Sequence, residues 1–196
     1  MLNVTFVRHG ESDMNKKGVY CGWTNSILTK EGIIQAEEVD KKLADEKFDL
    51  IISSDLDRCL KTAEIINRSH KKEIIKETAL KELNFGDWEG LNYNAICNNY
   101  PKEVNLWRDD YINFKIPKGE SLIEMHNRVN KGFNEIIDKI SEGNILIVSH
   151  SGVIRSILAQ QVCGGVEGVW KFKIDNCGIA RLQISDGFPI IVGINQ

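Results

Sequence analysis

Leu2-Asn3-Val4-Thr5-Phe6-Val7-Arg8-His9-Gly10-Glu11-Ser12 is the stretch on which the fold turns. Leu2–Val7 is an apolar run of strand length, and it ends abruptly on a cation, an imidazole and a glycine. The same grammar recurs. Phe48–Ser53 is apolar and runs into Ser53-Ser54-Asp55-Leu56-Asp57-Arg58, and Asn144–Ser149, the most apolar run, ends in Ser149-His150-Ser151-Gly152. Glu73–Lys76 is a weaker strand. Helical patterns separate these runs. Thr29 is predicted to cap a helix to about Asp45, with Ile33, Ala36, Val39 and Leu43 on one face. Asp55 is predicted to cap a second helix, carrying Arg58, Ala63 and Ile66. Ser121 and Glu124 form a capping-box pattern ahead of a stripe of Leu122, Met125, Val129, Phe133, Ile136 and Ile140. A helix should run from Gly152 to about Val162, and Ile179–Ile184 and Ile190–Ile194 read as an antiparallel strand pair around Asp186-Gly187. Strands alternating with helices mean an α/β fold with a mostly parallel sheet covered on both faces.

Composition narrows the function. The 196 residues are 42% hydrophobic and 27% charged, with 25 basic against 28 acidic side chains and a net charge of -3. This gives no nucleic-acid or membrane footprint, so any functional positive charge must be local. One domain spanning 1–196 is the simplest count. The five cysteines, Cys21, Cys59, Cys97, Cys163 and Cys177, include no C-x-x-C spacing, which argues against a disulfide framework and a structural zinc site. The N-terminus lacks the basic start and long apolar core of a signal peptide, so a cytoplasmic location is expected. His70 and His126 lie in polar helical surroundings and are expected to be exposed.

In parallel sheets, sites lie beyond the carboxyl ends of the strands. Arg8, His9, Arg58 and His150 all follow predicted strands there, and Glu82 follows the third. Two arginines can clamp a phosphate ester with paired donors. A neutral imidazole can attack phosphorus, and neighbouring arginines disfavour its protonation. His150 can hydrogen-bond the transferring group at a helix start, where backbone N–H groups favour an anion. Glu82 can protonate the leaving oxygen and then deprotonate water. Gly10 is expected to let the backbone approach the substrate. Each feature has a plainer reading: His9 in the core, Arg58 in a surface ion pair with Asp55 or Glu64, Glu82 no different from Glu77 or Glu89. The four segments together favour phosphoryl transfer without a metal or cofactor.

These residues resemble the histidine phosphatase superfamily in its phosphoglycerate-mutase-like branch. The resemblance rests on Arg8-His9-Gly10-Glu11-Ser12 with Asn15, on Gly22-Trp23 before Leu28-Thr29 and Gly32, on Ser53-Ser54 with Arg58 and Thr62-Ala63, on Glu82, and on Ser149-His150-Ser151-Gly152-Val153. It implies a three-layer α/β/α sandwich with one antiparallel strand. It implies His9 as phosphorylated nucleophile, Glu82 as proton donor, and Arg8, Arg58 and His150 as phosphoryl ligands. It further implies substrate contacts from Asn15, from Cys21 and Gly22 largely through backbone, and from the Ser151 N–H. It leaves a homodimer open.

Within that superfamily the chain is similar to α-ribazole phosphatases of cobalamin synthesis, on its short length, the Asn84-Phe85-Gly86-Asp87-Trp88-Glu89-Gly90 run and the Gly22-to-Thr29 segment. Residues 83–120 are expected to form two short helices and a lid over the site. Trp23, Trp88, Tyr93 and Trp107 could stack on an aromatic base or simply pack the core. The alternatives are a phosphoglycerate mutase, with Lys102, Arg108, Lys115 and Lys118 as candidate carboxylate ligands, a broad-specificity small-molecule or phosphoprotein phosphatase, and a phosphate-binding module without turnover.

Overall fold

Strand β1 (Leu2–Arg8) forms the middle of a sheet whose strand order is β3-β2-β4-β1-β5-β6. The computed structural model describes residues 1–140 and 142–196. β2 (Leu50–Ser53), β3 (Ile74–Lys76) and β4 (Gly143–Ser149) run parallel to β1. β5 (Ile179–Ser185) runs antiparallel to β1, and β6 (Phe188–Ile194) returns beside it. Asp186 and Gly187 turn that hairpin with φ of 51° and 78°, the left-handed pair that a two-residue turn between right-twisted strands requires. β5 is thus the one strand opposed to the rest.

The apolar runs are buried on both faces because successive side chains in a strand point to opposite sides. Ile145 and Ile147 of β4 pack with Phe6 of β1 on one face, under α6 (Leu122–Ile137) and α7 (Ser151–Cys163). Leu146 and Val148 pack with Val7 on the other, under α2 (Lys30–Leu43) and α3 (Asp57–His70). Three layers result. The segment after β3 builds a smaller apolar cluster of Trp88, Ile96, Val104 and Ile116 around two short helices, α4 (Tyr93–Asn99) and α5 (Pro101–Asp109). A five-residue helix, α1 (Asp13–Lys17), follows the β1 exit. No described helix is long and apolar enough to cross a membrane.

Thr29 caps α2 through Gly32 N, and Ser121 with Glu124 forms the expected capping box on α6. Elsewhere the structure corrects the sequence reading. Leu56, not Asp55, is the N-cap of α3; Asp55 instead pairs with Lys81 at 3.1 Å. β2 begins at Leu50, with Phe48 buried in the loop before it. His126 is 4% exposed, not on the surface. It faces the α6–α7 seam, where Gln160 Oε1 lies 3.0 Å from Nε2 and Ser156 Oγ lies 2.9 Å from Nδ1, so polar partners on the neighbouring helix compensate its burial. His70 is half-buried, its ring edge-on to Phe48.

Gly10 is also explained differently. A Cβ there would lie 2.3 Å from the carbonyl oxygen of Gly32, and a Cβ on Gly32 would lie 2.1 Å from that of Glu11. The two glycines let the β1 exit press backbone to backbone against the first turn of α2. Gly32→Ala should therefore lose about 1–3 kcal/mol of stability, although alanine is the better helix former by about 1 kcal/mol. Urea unfolding measures this; an unchanged or raised midpoint would contradict the close contact.

Candidate active site

Parallel register places the two histidines together. Arg8 of β1 is level with Ser149 of β4, so His9 and His150 are the first residues past adjacent strand ends. Their rings meet edge to face, 5.2 Å between centroids. His9 N–H still donates to Ser149 O at 2.9 Å, which extends the ladder one residue into the site. Arg58 enters from the first turn of α3 and is 1% exposed. Its Nη1 and Nη2 donate to the carbonyls of Thr24 and Gly22 at 3.1 and 2.7 Å, and its Nε to His9 Nε2 at 3.3 Å. The surface ion pair with Asp55 or Glu64 does not form. Arg8 Nη1 donates to Ile174 O at 2.8 Å, while its buried Nε has no partner.

Among the described residues no carboxylate lies within 4 Å of the guanidinium of Arg8 or Arg58. Carbonyl dipoles orient the two cations without cancelling them. Burial, then the charges of Arg58 and Arg8, hold His9 well below the ordinary histidine range. Burial and Arg58 do the same to His150. Both rings are neutral. His9 Nδ1 lies 2.8 Å from Gly10 O; since a carbonyl only accepts, Nδ1 carries the hydrogen and Nε2 keeps its lone pair. His150 Nε2 is 2.9 Å from Ser54 Oγ, with Cys59 Sγ beside it at 3.3 Å.

Glu82 reaches the same edge, and it separates cleanly from its two acidic neighbours. Its carboxylate accepts from Leu83 N at 2.9 Å and Gly152 N at 3.0 Å, the latter in the first turn of α7. Glu77 instead caps a turn through Ala79 N. Glu89 ties loops together, accepting from the N–H groups of Gly22, Trp23 and Phe85 at 2.8–3.2 Å. A Cβ on Gly152 would lie 2.3 Å from Glu82 Oε1, so this glycine makes room for the carboxylate.

The residues implied as further substrate contacts are held in different ways. Ser151 opens α7, and its buried Oγ has no partner. Asn15 Oδ1 is spent on the N–H and hydroxyl of Ser12, closing a capping box on α1, which leaves Nδ2 as its outward donor. The Gly22 N–H points to Glu89, and its carbonyl holds Arg58; the glycine is needed because a Cβ would meet Leu83 O at 1.8 Å. Cys21 Sγ turns to Thr24 O and Ser26 Oγ.

Next to Glu82 and Ser151 opens a chamber of about 230 Å³. Tyr20, Phe85, Trp88, Trp107, Tyr111, Phe114 and Trp170 wall it, with Arg155 among them. Trp88 and Trp107 border the chamber but also pack together in the small apolar cluster, where Trp88 is buried. Trp23 and Tyr93 lie outside the chamber. Sequence reading missed Ser54 and Glu89, although both lie in motifs singled out above, and missed Tyr20, Arg155 and Trp170, which no motif links to the site.

Two buried neutral histidines have a measurable consequence. The unfolded chain takes up protons below about pH 6.5 while the native rings do not. Their contribution is therefore complete above pH 6.5 and is lost as pH falls below it, by up to about 1.4 kcal/mol per pH unit for each histidine. Urea unfolding between pH 7.5 and 5 should show this decline, and His150→Asn should flatten it. An identical slope in the variant would contradict a neutral His150.

Comparison with known proteins agrees with this geometry. Residues 4–196 match the model of the histidine phosphatase superfamily, branch 1. The adenosylcobalamin/alpha-ribazole phosphatase of Escherichia coli K12 is 29% identical over 197 residues, covering 100% of this chain and 96% of that protein. Phosphoserine phosphatase 1 of Hydrogenobacter thermophilus is 28% identical over 195 residues, covering 100% and 92%. The crystal structure of the alpha-ribazole phosphatase from Shigella flexneri superposes with a TM-score of 0.94 at 29% identity, covering 99% and 96%. The family match covers nearly the whole chain, so the chain belongs to branch 1 of the histidine phosphatase superfamily and is a metal-independent phosphomonoester hydrolase.

Proposed function

We propose that His9 attacks the phosphoryl group of a small phosphomonoester whose alcohol carries an aromatic ring, with α-ribazole 5′-phosphate as the best-fitting substrate. The observation that carries this reading is the aromatic chamber beside Glu82. A benzimidazole ring suits walls of Trp107, Tyr111 and Trp170, and stacking adds about 0.5–1.5 kcal/mol per ring pair beyond burial. Residues 83–120 act as the cover of this chamber, and their own small core keeps its wall in place.

The steps follow from the geometry. Arg8 and Arg58 supply the positive charge that balances a phosphate dianion, and His150, Asn15 Nδ2 and the α7 N–H groups add donors. The His9 Nε2 lone pair forms the N–P bond as the ester P–O bond breaks, and Glu82 gives its proton to the departing alkoxide. Water then attacks the phosphohistidine, Glu82 takes a proton from it, the N–P bond breaks and inorganic phosphate leaves. No step calls for a metal.

The mutase alternative gains little. Lys115 pairs with Glu124, Lys118 with Asp87, Arg108 lies against Tyr93, and none of these or Lys102 lines the chamber. Phosphoserine is the second reading, and Arg155 favours it. Its guanidinium lies over Trp170 at 5.6 Å, its buried Nε has no partner, and a substrate carboxylate could pair with it.

Phosphate release with chelator present, compared across α-ribazole 5′-phosphate, O-phosphoserine and 3-phosphoglycerate, tests the assignment. The expected result is a kcat/KM at least tenfold higher for α-ribazole 5′-phosphate, unchanged by chelator and abolished in a folded His9→Ala variant. A preference for phosphoserine that disappears in Arg155→Met would establish the second reading. Interconversion of phosphoglycerates would overturn both.

A further inference from the structure

A carboxyl group that gives a proton and then takes one must be aimed closely, and small misplacements cost large factors in rate. Glu82 lies in an irregular segment, outside any helix or strand. Two N–H groups hold its carboxylate, but its backbone is held by a separate device. Arg128, from the middle of α6, uses all five of its N–H donors there. Nε and Nη2 grip the Glu120 carboxylate at 2.9 and 2.8 Å. Nη1 donates to the carbonyls of Ala79 and Lys81 at 2.8 and 3.0 Å, and Nη2 also to that of Glu82 at 3.2 Å.

Trp23 reaches the same carbonyl from the other side, its Nε1 donating to Glu82 O at 2.9 Å. The indole lies under the Arg128 guanidinium at 5.8 Å and near Lys81 Nζ at 4.8 Å. Glu120 completes the frame by accepting from Asn84 N at 3.0 Å and donating its own N–H to Asn84 O at 2.9 Å. Both flanks of Glu82 are thus fastened to α6 and its capping loop. α6 packs on α7, whose Gly152 N–H holds the Glu82 carboxylate.

We propose that Arg128, together with Trp23, is the positioning residue of Glu82: it aims the carboxyl group at the leaving oxygen by fixing the carbonyls on and around it. Neither side chain lines the chamber or bonds the Glu82 carboxylate. A lysine keeps the charge but cannot hold three carbonyls and a carboxylate in one plane. The proposal rests on Glu82 being the proton donor, as argued above.

The test compares kcat/KM, which reports steps up to departure of the leaving group, for two probes. 2-Phenylethyl phosphate expels an alkoxide that needs the proton; 2,4-dinitrophenyl phosphate expels a stable phenolate that does not. Glu82→Gln is the benchmark and should lose activity on the alkyl ester by roughly 100-fold or more, with little loss on the aryl ester. Arg128→Lys should lose about 10–100-fold on the alkyl ester and under about threefold on the aryl ester, and Trp23→Phe should show the same pattern more weakly. Trp23 is 40% exposed, so its variant decides the matter if Arg128→Lys does not fold. Equal losses on both probes, or no loss on either, would overturn the proposal while Glu82→Gln behaves as the benchmark. A Glu82→Gln variant without leaving-group dependence would overturn the proton-donor assignment itself, and this proposal with it.

Discussion

Buried positive charge without a buried counter-charge governs this structure. Arg58 is almost wholly removed from water, and its partners are two carbonyl oxygens and a neutral imidazole. Taking a guanidinium out of water costs of order several kcal/mol, and oriented dipoles offset only part of that. A carboxylate partner would have been the cheaper way to stabilise the fold, but it would have cancelled the field that attracts a phosphate. The cost is met by the sheet core on either face, where Ile145, Leu146, Ile147 and Val148 alternate between two apolar layers.

That field fixes the proton inventory. Arg58 lies against His9 Nε2, Arg8 adds its charge, and burial removes the water that would stabilise an imidazolium. The His9 hydrogen is fixed on Nδ1 by Gly10 O, which leaves Nε2 with the lone pair that the proposed nucleophile requires. His150, neutral for the same reasons, is braced by Ser54 and Cys59. With both imidazoles neutral and both arginines permanently charged, proton transfer in the proposed reaction falls to Glu82. Its surroundings are correspondingly elaborate: glycine at 152 to make room, and a loop suspended from the neighbouring helix.

The fold was legible in the sequence because its signals are local. Apolar runs of strand length, Thr29 and Ser121 as caps, and Asp186-Gly187 as a turn each act within a few residues, and the structure reproduces them. That Arg8, His9, Arg58 and His150 meet was legible for a related reason, since strand ends in a parallel sheet share one edge, whereas only the family resemblance singles out Glu82 from Glu77 and Glu89. What escaped reading depends on contacts distant in sequence. Gly10 and Gly22 both face another stretch of backbone, Gly32 and Leu83, and no single segment shows that a substrate is not what they make room for. His126 looked solvent-facing among polar neighbours, because only the packing of α6 on α7 supplies Ser156 and Gln160. Likewise Tyr20 and Trp170 join one aromatic wall from 150 positions apart.

The central claim is covalent transfer to His9, and trapping the intermediate tests it most directly. The enzyme is mixed with phosphomonoester, quenched in base within one turnover, digested and weighed by mass spectrometry. The account predicts one added phosphoryl group on the peptide that carries His9, stable in base, lost in acid and absent from His9→Ala. A phosphoryl group on any other residue, or full turnover in His9→Ala with none trapped, would contradict it.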